Sequence, residues 1–153
     1  MLLYLDLCTI QRPLDDKTQL RIAIESEIIL GILSLIEAGM VELISSEALL
    51  FEANKNPHLF RRAHSLDTLA KATRFVALDE QTERSSRHFI ETGIRPLDAL
   101  HLACAEAAQA DFLCTCDDKF LQKARRIPTL STTVVSPIEL SREIEKWTSR
   151  QNL

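Results

Sequence analysis

The chain has 153 residues, 46% of them hydrophobic and 26% charged, with a formal net charge of −4. That length and balance fit one globular domain spanning residues 1–153 and exclude a globally disordered chain. Three glycines exclude a turn-rich all-β protein and a glycine-rich phosphate loop, 5% aromatics call for an aliphatic core, and 22 acids against 18 Lys and Arg argue against a general nucleic-acid binder.

Leu2–Leu5 is an apolar run ending at Asp6, the pattern of a buried strand. The segment 11–16, with Pro13, reads as a polar loop. From Thr18 to Ala38, Leu20, Ile24, Ile28 and Leu35 recur at helical spacing, and Gly39 stands where a helix ends. Met40–Ile44 reads as a second strand, and Ser46 as the cap of a helix carrying Glu52 and broken near Pro57. A helix over His58–Lys71 and a third strand over Phe75–Leu78 follow. Asp79 caps a helix ending before Gly93, and Pro96 opens the next. On that helix Leu97, Leu100, Ala103, Cys104 and Ala107 form an apolar stripe. Asp111–Cys116 is a fourth strand, Asp118–Arg126 a short helix and Thr132–Val135 a fifth strand. Ser136-Pro137-Ile138-Glu139 is a capping box starting a last helix to about Ser149, with a polar tail after Trp147. Short, continuously apolar strands alternating with helices predict an α/β fold. The expectation is a three-layer α/β/α domain around a central, mostly parallel sheet of about five strands.

The apolar start of the chain has no basic region before it, so a signal peptide is not expected, and no stretch approaches the ~20 apolar residues that span a bilayer. Cys8, Cys104, Cys114 and Cys116 form no CxxC pair and no zinc-spaced cluster. They read as reduced, buried thiols of a cytoplasmic protein, with Cys114 and Cys116 on one face of a strand.

Four acids lie off the general run of solvated helix faces. Asp6 ends the first strand, Asp117 follows the fourth, Asp98 sits in the first turn of the Pro96 helix, and Glu52 lies on the helix after the second strand. Open α/β sheets bind ligands beyond the carboxyl ends of their strands, where the strand order reverses. If the first and fourth strands flank that point, Asp6 and Asp117 converge there and Asp98 can face them. Crowded carboxylates repel, and a divalent cation removes that penalty. An all-oxygen donor set favours Mg²⁺ or Mn²⁺ over zinc. Each acid also has a plain structural role open to it: a turn, a dipole-facing first-turn acid, a helix cap or a solvated side chain. Asp118 competes with Asp117 as a cap, and Glu47 competes with Glu52.

Tyr4-Leu5-Asp6 resembles the opening motif of the PIN domain family, whose best-known members are VapC-like ribonuclease toxins. So does Asp98-Ala99-Leu100-His101-Leu102-Ala103 followed by Ala110–Phe120, with its Thr115-Cys116-Asp117 and downstream Phe120. Ser46 followed by Glu52 is similar to the second acidic motif. The resemblance covers nearly the whole chain. It implies metal binding by Asp6, Glu52, Asp98 and Asp117, with Thr115 supporting the fourth acid or a metal-bound water. It further implies a divalent-metal-dependent endoribonuclease using Mg²⁺ or Mn²⁺, a homodimer, and in toxin members an antitoxin partner. The stretch around Arg12–Asp16 is also similar to a solo-domain subgroup. One departure stands out: Leu7 and Cys8 follow Asp6 where the family often has a hydroxyl residue and then Asn, and Thr9 is the replacement at hand.

Phosphodiester hydrolysis by metal ions needs no covalent intermediate. His101, one turn after Asp98, is expected to pack or to stand behind the acids. An RNA substrate calls for cations at the crevice. The candidates are Arg12, Arg61-Arg62, Arg95, Lys119, Lys123 and Arg125-Arg126, of which Arg12 and Lys119 follow strand ends carrying proposed ligands. Leu7-Cys8 sustains a competing reading, a catalytically weak or inactive PIN-like binding or partner module. A phosphotransfer enzyme of another α/β type is disfavoured, because Asp6 begins no Asp-x-Asp motif.

Overall fold

The structure, a computed structural model, describes residues 1–151. Its strands are β1 (Leu2–Leu5), β2 (Glu42–Ser46), β3 (Arg74–Val76), β4 (Phe112–Cys114) and β5 (Thr133–Val135). They form one sheet in the order β3-β2-β1-β4-β5, every neighbouring pair parallel. The helices are α1 (Leu7–Gln11), α2 (Leu20–Glu37), α3 (Glu47–Lys55), α4 (Leu59–Leu69), α5 (Glu80–Glu91), α6 (Pro96–Ala107), α7 (Asp118–Arg125) and α8 (Pro137–Arg150). The expected α/β architecture is present, and the sheet is wholly parallel. All four residues of β1 are buried, as a central strand covered on both faces requires.

Local chemistry accounts for most boundaries. Ser46 accepts a hydrogen bond from the Leu49 N–H, and Asp79 and Ser136 each close a capping box. Gly39 takes φ +73° just beyond α2, a conformation that costs glycine little and lets the following Met40 N–H reach back to the Leu35 carbonyl. Several expectations are corrected. The segment after β1 is helical: α1 is followed by a 3-10 turn over Arg12–Leu14, and a five-residue helix is too short to show a period. β2 and β3 lie two residues later and one residue earlier in the chain, respectively, than their predicted starts at Met40 and Phe75. Cys116 falls outside β4, which ends at Cys114. On α6 Ala103 and Cys104 of the expected stripe are buried, but so are Ala99, Leu102 and Ala105, whereas Leu97 is exposed. This helix packs against α3, α5 and β4, so it is covered over far more than one stripe. α8 continues to Arg150, past the predicted end at Ser149, and the last two residues of the expected polar tail lie outside the described residues.

One contiguous aliphatic cluster runs from Leu2 to Ile144, with Tyr4 and Phe120 as its largest fully buried side chains. Leu113, at the middle of β4 and fully buried, pairs with Tyr4 on one side and Val134 on the other. Leu113→Ala is expected to cost about 2–5 kcal/mol, read as a lowered urea midpoint with an unchanged m-value.

Candidate active site

Strand order reverses beside β1. β2 and β3 lie to one side, β4 and β5 to the other, so the crevice opens above the carboxyl ends of β1 and β4. Asp6 follows β1 directly, and its N–H donates to the Cys114 carbonyl at 3.2 Å, tying it to the end of β4. Its Oδ1 caps α1, accepting from the Thr9 N–H at 3.0 Å and the Cys8 thiol at 2.9 Å. The polar contact that Leu7-Cys8 left open is thus made by Cys8. The neighbouring Cys116 thiol, burial and the Asp6 charge push the Cys8 thiol up and keep it a donor. The Thr9 hydroxyl turns away to the Cys114 carbonyl at 3.1 Å.

Asp117 lies across the crevice. Its Oδ1 accepts from the Lys119 and Phe120 N–H groups at 2.9 and 3.2 Å, capping α7. Its own N–H donates to the buried Thr115 hydroxyl at 3.1 Å, so Thr115 holds the turn that presents this acid. Asp118 points elsewhere and forms a two-point pair with Arg21.

Asp98 occupies the first turn of α6. Burial, followed by the charges of Asp6 and Asp117, lifts its carboxyl to about 6; His101 and Arg95 oppose the rise. Three aspartates from three separate segments therefore act on one another across the crevice. Arg95, at the head of α6, bridges two of them, lying 3.0 Å from Asp117 and 3.9 Å from Asp98.

Glu52 pairs with a buried histidine and is in contact with none of the three aspartates among the hydrogen bonds and ion pairs of the described residues. Its Oε2 lies 2.6 Å from His101 Nε2, and His101 Nδ1 lies 2.7 Å from the Tyr4 hydroxyl, which lies 2.8 Å from Ser46 Oγ. Burial holds the Tyr4 phenol protonated. Glu47, the competitor, instead accepts from the Leu78 N–H at 3.1 Å.

The donor set suits a hard divalent cation: carboxylate oxygens whose mutual repulsion is registered at Asp98. The side chains nevertheless stand turned to internal partners. Among the described residues, no group of three His, Cys, Asp or Glu side chains is close enough to hold a metal ion. Arg95 is 64% exposed, and an exposed pair of this kind is worth ~0–1 kcal/mol, so a cation can displace it at little cost.

The cations divide in the same way. Arg12, expected beside the substrate, is mostly buried and paired with Asp15 and Glu25 at 2.9 and 3.1 Å. Arg61 also reaches Asp15. Lys119 is exposed at the start of α7, beside Asp117. Arg95 was one candidate among several in the sequence; its place between two acids depends on how the turn before Pro96 meets β4, which carries no sequence signal. A concavity of about 510 Å³ lies at the opposite end of the sheet among Met1, Asp111, Trp147 and Arg150, so size does not mark this site.

A family model described as the PIN domain matches residues 10–126. The chain belongs to the PIN domain family. Two solved structures share the fold of this PIN domain. VapBC2 from Rickettsia felis, bound to a DNA fragment from their promoter, aligns with TM-score 0.55 and 16% identity over 89% of this chain and 98% of that one. FitAcB from Neisseria gonorrhoeae aligns with TM-score 0.56 and 17% identity over 90% and 98%. A comparison with curated proteins found no match. The family match begins after Asp6, so the first acid of this PIN domain rests on its place at the end of β1. No helix among the described residues is long and apolar enough to cross a membrane.

Proposed function

We propose that this PIN domain is a divalent-metal-dependent endoribonuclease of the cytoplasm, hydrolysing RNA phosphodiester bonds. The observation that carries the reading is that Asp6 and Asp117, at the ends of β1 and β4, lie near enough to Asp98 for their charges to add to its burial in lifting its carboxyl to about 6. Asp6, Asp98 and Asp117, with Glu52, hold Mg²⁺ or Mn²⁺. When bound, the cation neutralises phosphate charge and lowers the pKa of a water nucleophile. Thr115 fixes the Asp117 turn through its hydroxyl. Lys119 and a released Arg95 meet the phosphate backbone, Arg95 serving in the place first expected of Arg12.

RNA incubated with the wild-type protein and Mn²⁺ is expected to be cleaved, and a chelator to stop it. Asp6→Asn is expected to lower the rate at least ~100-fold, since the metal's share of such a reaction amounts to several kcal/mol. Cleavage that survives both chelator and substitution overturns the proposal. The likeness in fold to VapBC2 and FitAcB supports a toxin role, for which the family resemblance implies a homodimer and an antitoxin that covers the crevice. A small protein encoded beside this chain that binds it and blocks cleavage is the expected partner.

The internal partners of the acids favour a second reading, a weak or inactive PIN module in which Arg95 and His101 replace the metal. Calorimetry separates the two: heat of Mn²⁺ binding at millimolar metal supports the nuclease, and its absence supports the inert module.

A further inference from the structure

His101 is buried at 2% exposure in the middle of α6, and both its ring nitrogens are engaged. A ring in that position can serve as simple filling. Its partners argue otherwise, because they form a directed chain that ends on a proposed metal ligand. Ser46 Oγ accepts from the Leu49 N–H and keeps its hydroxyl hydrogen to donate to the Tyr4 oxygen. Tyr4 is then free to donate to Nδ1, and Nε2–H to donate to Glu52 Oε2. Every buried polar atom of this hydrogen-bond chain then has a partner, and this order leaves a carboxylate at its end as acceptor. The other carboxylate oxygen of Glu52 accepts no hydrogen bond among the described residues, and the side chain is 31% exposed.

We propose that His101 is a positioning residue for Glu52: Tyr4 fixes the Nε2–H tautomer, and that N–H pins one carboxylate oxygen so that the other faces the crevice. The proposal rests on the metal-dependent reading above. It also assigns a purpose to Tyr4 and Ser46, which span β1 and the end of β2 and so couple the acid on α3 to the centre of the sheet. Glu52 lies on a helix joined to the sheet at one end only, and without such a brace its long side chain has rotamers to lose each time it binds metal.

Two measurements test this. In the metal-free protein, long-range ¹H–¹⁵N spectra of the imidazoles are expected to show His101 protonated at Nε2 and bare at Nδ1. Tyr4→Phe should move the Nδ1 resonance and Glu52→Gln the Nε2 resonance. A His101 ring protonated only at Nδ1 overturns the proposal, whatever the protein's activity. The second measurement is Mn²⁺ affinity by calorimetry. His101→Leu is expected to weaken binding ~10–100-fold, as loss of a partner to a ligand does, while His101→Gln, which keeps a donor, restores most of it. The His101→Leu/Glu52→Gln double variant should bind no more weakly than Glu52→Gln alone, because the histidine acts through that acid. Equal affinity in His101→Leu and wild type, or additive losses in the double variant, overturn the proposal. Should His101→Leu fail to fold, Tyr4→Phe and the Gln variants carry the same comparison. A wild-type protein that binds no Mn²⁺ overturns the nuclease reading instead, and the tautomer still decides the hydrogen-bond chain.

Discussion

Asp98→Asn is expected to abolish Mn²⁺-dependent RNA cleavage and, in the same protein without metal, to raise the melting temperature. The two effects have one origin. Burial and the charges of Asp6 and Asp117 lift the Asp98 carboxyl to about 6 from its ordinary 3.8, so its ionised form is held at a cost in the folded state. The contribution of this group to stability is therefore fully present below about pH 4 and lost as the pH rises through about 6. A shift of that size converts to at most about 3 kcal/mol, and partial exposure reduces it to ~1 kcal/mol at pH 7. Asn removes the charge at nearly constant shape. The variant should melt ~2–4 °C higher at pH 7 and lose that advantage near pH 4. The proposed metal site would account for such a cost, since the acids would repel until a cation arrives. Retained cleavage in Asp98→Asn removes this residue from the site, and a lower melting temperature refutes the repulsion.

Arg12→Met is expected to destabilise the protein by about 3 kcal/mol, seen in urea unfolding. Glu25 lies at 2% exposure with Arg12 at 3.1 Å and Arg21 at 3.4 Å. These contacts neutralise charge without well-aligned hydrogen bonds to Glu25 Oε1. Removing Arg12 leaves a buried carboxylate beside a half-exposed Arg21, the situation in which breaking an ion pair costs most. Arg12→Met/Glu25→Met should recover the loss, since two apolar side chains avoid both desolvation penalties. The pair of variants also tells structure from substrate contact. If Arg12 acts on the fold, the double variant regains RNA cleavage along with stability. Normal stability in Arg12→Met alone, with weakened RNA binding, would restore this arginine to the substrate side.

The place of two candidate acids in the fold was legible because strand ends are legible. Asp6 and Asp117 terminate apolar runs, and a parallel sheet sends every such end to the same edge, so their meeting needed only β1 to neighbour β4. Ser46, Asp79, Pro96 and Ser136 announced their helices because caps are local chemistry. α1 escaped notice because a single turn has no period, although the residue that caps it, Asp6, was read correctly as the end of a strand.

The sequence by itself determined the alternation of strands and helices, the order of the acids along the chain and their all-oxygen chemistry. It did so because burial, capping and donor type are properties of a residue and its near neighbours. Which cation serves which acid was decided only by tertiary structure. Arg12 and Glu25 lie thirteen positions apart, Arg95 and Asp117 twenty-two, and Glu52 and His101 forty-nine. Pairings over such spans depend on how helices settle against the sheet, and a side chain's charge is the same whether it ends in a buried pair or in the crevice.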